Sequence, residues 1–305
     1  MRTKTLFAAI AALFLLPMAA AHAQIVGPTA FCGGPVGGNY QATMSQLAAG
    51  SFHAAVPVPT NGSLENLSRI DAGQCVAGPA QADAAVFYAK SKGHWMDVKP
   101  VAIVGEEIAH LVCADYLHLG GPGRLANVSD LAGRRDVTVA IGQGGSGSQV
   151  TWQVLTQLLP YLDPMRGGPQ VNTAVDPTSM NTLNAVKSRT NGKLDCLFFV
   201  STKNSDTMKR VDAFGASLEL VGVNDPAIFN LRTSWGDPVY SLTRLPPGTY
   251  PNLQSSRFSP FYGNQPVVTL DVKSVMFANS RWYAANPSYA QWISAWASHL
   301  NYARY

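Results

Sequence analysis

Cys32-Gly33-Gly34-Pro35-Val36-Gly37-Gly38-Asn39-Tyr40 is the first of three turns that decide how this chain is read; Thr60-Asn61-Gly62-Ser63-Leu64-Glu65-Asn66 and Gln81-Ala82-Asp83 are the others. Each closes an apolar run (near 25–31, 54–59 and 75–79) and leads into a helical pattern. Each therefore sets backbone N–H groups and short polar side chains where a strand hands over to a helix. In an open parallel sheet such hand-overs gather along one edge, and ligands bind there. Gly37 and Gly38 permit close backbone approach, and Tyr40 offers a ring and a hydroxyl, either to a ligand or to packing. Ser63 reads as a helix N-cap, a role that leaves Thr60 and Asn61 able to touch a ligand. Gln81 reads as a contact. Asp83 serves equally as a contact or as a cap for the helix running into Phe87-Tyr88, where a carboxylate gains up to about 1 kcal/mol.

Outward from these turns, further apolar runs lie near 100–104, 108–114, 137–142, 194–200, 218–223 and 267–273. Most are continuous, as strands covered on both faces are. Between them stand helical stripes: Met44 and Leu47; Leu64, Leu67 and Ile70; Val150, Val154, Leu155 and Leu158; Met180, Leu183 and Val186; Met208, Val211 and Phe214. A last stripe, Trp292, Ile293, Trp296 and Leu300, follows Asn286-Pro287, a cap with proline at the first helical position. The alternation predicts an α/β protein, with mostly parallel sheets and flanking helices. Turn-rich breaks at Gly120-Gly121-Pro122-Gly123 and across 244–266 predict domain edges. The strand and helix after 266 are too small to own a core and so return to the first domain. The expected plan is lobe 1 from 24–117 and 246–305, with lobe 2, 118–245, inserted. Two crossings between lobes make a hinge around a cleft.

The N-terminus predicts the compartment. Arg2 and Lys4, the apolar run Leu6 to Leu16, and Ala21-His22-Ala23 form a secretory signal peptide, 1–23, cut before Gln24. The apolar run is too short for a spanning helix, which needs roughly 20 residues; an uncleaved anchor is the alternative. The expected location is the periplasm. Charged residues make up only 13% of the chain and apolar ones 47%, which suits a globular protein. Without Arg2 and Lys4 the balance is 20 basic against 18 acidic residues, a net +2 with no basic cluster beyond Arg134-Arg135. No nucleic acid partner is expected. Cys32, Cys75, Cys113 and Cys196 allow three disulfide pairings in an oxidising setting, and Cys113 and Cys196, inside apolar runs, also read as buried thiols.

Gly142-Gln143-Gly144-Gly145-Ser146-Gly147-Ser148 follows a strand and opens a helix. It satisfies G-x-G-x-x-G in form, but sits mid-chain and its downstream Asp163 falls in a turn, so a dinucleotide site is not expected. No Lys follows for a P-loop, and Ser148 stands where a nucleophile elbow needs glycine. What remains is a capped turn, or an anion site of free N–H groups with the Ser146 and Ser148 hydroxyls. His110, Cys113 and His118 do not share a strand face, so no metal site is expected and His110 reads as a core histidine. Glu106-Glu107 reads as a solvated turn between two strands. No cofactor and no catalytic residue are expected.

The three opening turns resemble those of the TAXI solute receptors, the extracytoplasmic substrate-binding subunits of one class of TRAP transporters. Val128-Ser129-Asp130-Leu131-Ala132-Gly133-Arg134-Arg135, Gly144-Gly145-Ser146-Gly147-Ser148, Asn191-Gly192-Lys193-Leu194-Asp195 and Leu245-Pro246-Pro247-Gly248-Thr249-Tyr250 extend the resemblance in order along the chain. Cys32, the Pro35-Val36 step and the 199–207 segment depart from that pattern. The resemblance implies a two-lobed type II periplasmic binding protein-like fold. It implies a monomer that closes on a small organic anion or amino acid such as glutamate and hands it to membrane permease subunits. Carried over by position, the ligand contacts are Gly38, Tyr40, Thr60, Asn61, Ser63 and Gln81, with Ser146, Gly147 and Ser148 opposite. An exported serine hydrolase with Ser146 as nucleophile, and a sensory domain that docks on a membrane kinase, are the alternatives.

Overall fold

The computed structural model describes residues 29–51, 54–93, 96–114, 125–188, 194–215, 218–233, 236–254 and 265–302. The expected leader, the break at 120–123, most of the 255–264 connection, and His53, His94 and His118 lie outside the described residues.

Ten strands form one sheet: β1 Thr29–Cys32, β2 Ala55–Val58, β3 Ala77–Gln81, β4 Val98–Ala114, β5 Thr138–Ala140, β6 Gln170–Asn172, β7 Cys196–Ser201, β8 Leu218–Val221, β9 Tyr240–Leu245 and β10 Val267–Asn279. The main order is β2-β1-β3-β10-β4-β7-β5-β6, with β8 on β4 and β9 on β10. One wing, β2-β1-β3, is parallel, and so is the other, β7-β5-β6. Between them β10 and β4 pair antiparallel, from Asp271 opposite Ile108 to Asn279 opposite Val98. β10 serves β3 with residues 274–278, and β4 serves β7 with residues 108–113. The two long strands thus run through both wings.

Helices α1 Asn39–Ala49, α2 Ser63–Asp71, α3 Ala82–Lys92, α4 Gly147–Leu158, α5 Met180–Ser188, α6 Asp206–Ala213, α7 Ser280–Ala285 and α8 Pro287–Tyr302 flank the sheet. In α2 the stripe works as its spacing predicts: Leu67 and Ile70 are fully buried, each worth about 1.5–3 kcal/mol against exposure. α3 stays thin along its inner face, with Ala82, Ala84 and Ala85 buried, and ends at Gly93 in the left-handed region. Asn286 closes α7, its side-chain amide donating to Trp282 O, and its carbonyl accepts Ala290 N–H at the start of α8. Three apolar clusters result: one beneath α2, α3 and α4, one of α5 and α6 on β4 and β7, and one of α1 and α8 on the outer face of the first wing.

Several expectations change. The separate runs 100–104 and 108–114 are one seventeen-residue strand, so Glu106-Glu107 is not a turn. Glu106 is exposed, but Glu107 is only 6% exposed, on the inward side of the pleat. Register shifts in β10 at Ser274/Val275 and Met276/Phe277 let the pair bend without breaking. β6 and β9 were not expected: β6 is a short, exposed edge, and β9 is buried only at its two ends, Tyr240 and Leu245, just where the turn-rich 244–266 stretch begins. Cys113 and Cys196 are not free thiols. They face each other in β4 and β7 and form a disulfide, as do Cys32 and Cys75, so no cysteine is free among the described residues.

The disulfides close loops separated by 43 and 83 residues, for which loop entropy gives about 4 kcal/mol each. Urea denaturation with and without a reductant should show the loss of both, about 8 kcal/mol. Cys113→Ala/Cys196→Ala and Cys32→Ala/Cys75→Ala should each show roughly half of it.

Candidate functional site

The first two loops are held by a residue the sequence reading passed over. Asn66, fully buried in α2, donates its side-chain amide to Gly33 O and, at 2.7 Å, to Pro79 O. Thr60 Oγ1 lies 2.6 Å from Asn66 Oδ1 and 2.9 Å from Gly33 O. A buried amide that satisfies carbonyls from two other hand-overs fixes all three together, since leaving any of these groups unpaired costs about 1–3 kcal/mol. Gly62, not Ser63, is the N-cap of α2. Ser63 stands at the first helical position, buried, and its hydroxyl accepts Gln81 N–H at 3.3 Å. The cap's own N–H donates to Thr60 Oγ1 at 3.2 Å, and Glu65 Oε2 accepts the preceding Asn61 N–H at 2.8 Å; that bond is the first cause holding the Glu65 carboxyl below its usual range. Asn61 itself is exposed at the tip of the loop.

The Ser146 turn comes from the other wing and meets this loop. Leu64 N–H donates to Gly145 O at 3.4 Å. Gly62 has φ of 125°, and a Cβ there would lie 3.4 Å from Ser146 Cα and 3.6 Å from Gly147 N. Gly147 is closer still to the third hand-over: a Cβ would fall 2.3 Å from Gln81 Oε1. The backbone conformation at 62 favours glycine, and a side chain at 147 would have to displace the Gln81 carboxamide. Ser146 Oγ caps α4 by accepting Gln149 N–H at 3.3 Å, and Ser148 Oγ accepts Val200 N–H at 2.9 Å. The would-be nucleophile thus accepts from a helix amide. His110 is in the core and bonds Tyr250.

Gln81 is the pivot. Its Nε2 donates to Glu107 Oε2 at 2.7 Å, while its Oε1 lies on Gly147 and 3.4 Å from the Thr151 hydroxyl. Tyr40, at the start of α1, accepts from Ser274 Oγ at 3.1 Å. Burial first, and then the neighbouring Glu107 carboxylate, push the Tyr40 phenol well above its ordinary range, so it stays neutral. Gly38 is the N-cap of α1, its N–H donating to Pro35 O at 2.9 Å. The structure therefore brings Gln81, Ser146 and Gly147 together with Gly62, the neighbour of the exposed Asn61, and joins Tyr40 to them through Glu107. The hydroxyls of Thr60, Ser63 and Ser148 are engaged in holding loops. Glu107, Thr151, Ser274 and Asn66 were missed. A Glu-Glu pair in an apolar stretch was the one available signal; the others are single polar residues inside helices or strands.

In the second wing, His110 is fully buried and stacks on Phe199 with ring centroids 5.1 Å apart. Its Nε2 lies 3.0 Å from Tyr250 OH, which donates to Lys203 O at 2.9 Å. Burial lowers the imidazole from 6.5 to about 3, against a smaller opposing pull from the Ile108 and Phe199 backbone.

No protein-family model matches the chain, and no curated protein matches it. Among solved structures it is similar to a protein from Bordetella bronchiseptica RB50, at 13% identity and a TM-score of 0.51, over 90% of this chain and 70% of that one. It is also similar to the periplasmic aliphatic sulphonate binding protein SsuA from Escherichia coli (15% identity, TM-score 0.48, 90% and 69% of the two chains). PhnD1 from Prochlorococcus marinus in complex with methylphosphonate stands at 10% identity and TM-score 0.49, over 90% and 84%. The Bordetella likeness is one of fold alone, and the other two fall below the level at which they bear on the argument.

The neutral His110 gives a pH signature. Below 6.5 the unfolded chain takes up a proton that the folded chain refuses, so this contribution is complete above pH 6.5 and is lost as pH falls toward 3. Between pH 6.5 and 5 the loss is about 2 kcal/mol. His110→Phe keeps the stack on Phe199 and should flatten that acid limb in urea titrations at the two pH values.

Proposed function

We propose that this chain is an exported substrate-binding subunit of a TRAP-type transporter of the TAXI kind. In this reading lobe 1, residues 24–117 and 246–305, and lobe 2, residues 118–245, move about β4 and β10 and close on a small carboxylate or amino acid such as glutamate. The loaded receptor then docks on membrane permease subunits. The observation that carries the reading is the meeting of Gly62 with Ser146 and of Gly147 with Gln81: turns from separate wings lie against one another. Helix α4 presents its N-terminus there, which favours an anionic group by roughly 0.3–1 kcal/mol before desolvation adds to it. The ordered run of TAXI-like motifs supports the transport assignment over a catalytic one. So does the use of the Ser146 hydroxyl as a cap.

The ligand contacts are Asn61 and Gln81 from the first lobe and Ser146 and Gly147 from the second, with Tyr40 at the flank. Among the described residues, no helix is long and apolar enough to cross a membrane.

A thermal-shift screen of amino acids, dicarboxylates and keto acids on the secreted chain should find a ligand that raises the melting temperature. At a hundredfold excess over Kd the added stability is about 2.7 kcal/mol. Asn61→Ala and Ser146→Ala should each weaken that ligand about tenfold by calorimetry; Ser146→Ala should also cost about 1 kcal/mol of stability through the lost cap. Unchanged affinity in both variants would remove the site from these loops.

A further inference from the structure

Asp83 is left without a role by this reading, although no other carboxyl in the described chain is as enclosed. It is fully buried in the first turn of α3. Oδ1 accepts Ala84 N–H at 2.7 Å, while Oδ2 accepts the Thr151 hydroxyl at 2.6 Å and the Tyr240 hydroxyl at 2.8 Å. The donors belong to three elements: α3 in the first wing, α4 in the second, and β9 on the through-running strand β10. Thr151 is itself fully buried, one turn along the helix that Ser146–Ser148 begins. Burial raises the Asp83 carboxyl above its ordinary range, and the three donors pull it back.

We infer that Asp83 is a positioning residue for lobe closure: by accepting Thr151 from the opposite wing it seats α4 on α3 and brings the Ser146 turn onto Gln81 and Gly62. The inference rests on the two-lobe receptor reading. Its physical basis is an asymmetry between states. When the lobes part, water replaces the Thr151 hydroxyl on Asp83 at little cost. When they close, the site is sealed, and a missing donor leaves an enclosed carboxyl oxygen short of a partner. Removing the hydroxyl therefore penalises the closed form alone and shifts the population by that difference.

The test is pulsed electron resonance on the full chain, with nitroxides on p-acetylphenylalanine at Val56 in β2 and Val171 in β6. These exposed positions lie near opposite edges of the sheet. Thr151→Val, which keeps the shape and loses the hydroxyl, should raise the ratio of long to short distances roughly tenfold or more, the loss expected of a hydrogen bond to a charged group. Thr151→Ser should restore the wild-type distribution, a rescue that a packing role would not produce. Asp83→Asn, a weaker acceptor, should shift in the same direction and keeps the test open if Thr151→Val folds poorly. Distributions for Thr151→Val and Asp83→Asn that overlay the wild type, with and without millimolar L-glutamate, overturn the inference. The thermal-shift screen judges the receptor reading separately, because it succeeds or fails whatever Thr151 does.

Discussion

The antiparallel pairing of β4 with β10 is the constraint on which the rest of the molecule depends. Each strand is long enough to serve both wings, so a single ladder of backbone hydrogen bonds joins two otherwise parallel sheets. Parallel pairs need crossover helices, and those helices cover each wing and deliver the hand-over loops to one edge. The ladder also limits relative motion to bending and twisting of two strands, and its register shifts lie at Ser274 and Met276, near Ser274's bond to Tyr40. The same two strands also contribute side chains, Ser274 and Glu107, to the place where the wings meet.

Around that ladder the first-wing loops are organised by buried polar groups rather than by apolar contact. Asn66 ties Gly33 to Pro79, Thr60 closes on the same carbonyl, and Ser63 receives Gln81. Such a network has little freedom to relax, because each member satisfies a group that would otherwise be enclosed without a partner. It leaves the Gln81 carboxamide beside the α4 N-terminus, with Gly62 against the Ser146 turn. Close glycine contacts at 62 and 147 fix how near the two sides can come.

The seam between the wings is more acidic than the sequence suggested. Glu107 and Asp83 are both enclosed, and each is met by hydroxyl or amide donors from neighbouring elements. Tyr40 and Tyr240 are both kept neutral, by burial first and by those carboxylates second. Phenols held in this way are donors of fixed sense, which makes the geometry around each carboxyl specific.

Periodicity and turn chemistry are local properties, and what rests on them was legible in the chain alone. The α/β alternation, the helices of the Leu67, Val150, Met208 and Trp292 stripes, the three hand-over turns and His110 as a core residue all follow from residues close in sequence. Longer-range pairing overrode local pattern elsewhere. Glu106-Glu107 looks like a turn until β10 supplies a partner along the whole of β4, and β6 is too short and polar to signal itself. Cysteine spacing could not choose among pairings; only the register that sets Cys113 against Cys196, and the neighbouring ends that bring Cys32 to Cys75, decided it. The roles of Asn66, Glu107 and Thr151 were likewise settled in three dimensions, because a polar side chain's meaning depends on which distant donor or acceptor shares its enclosure.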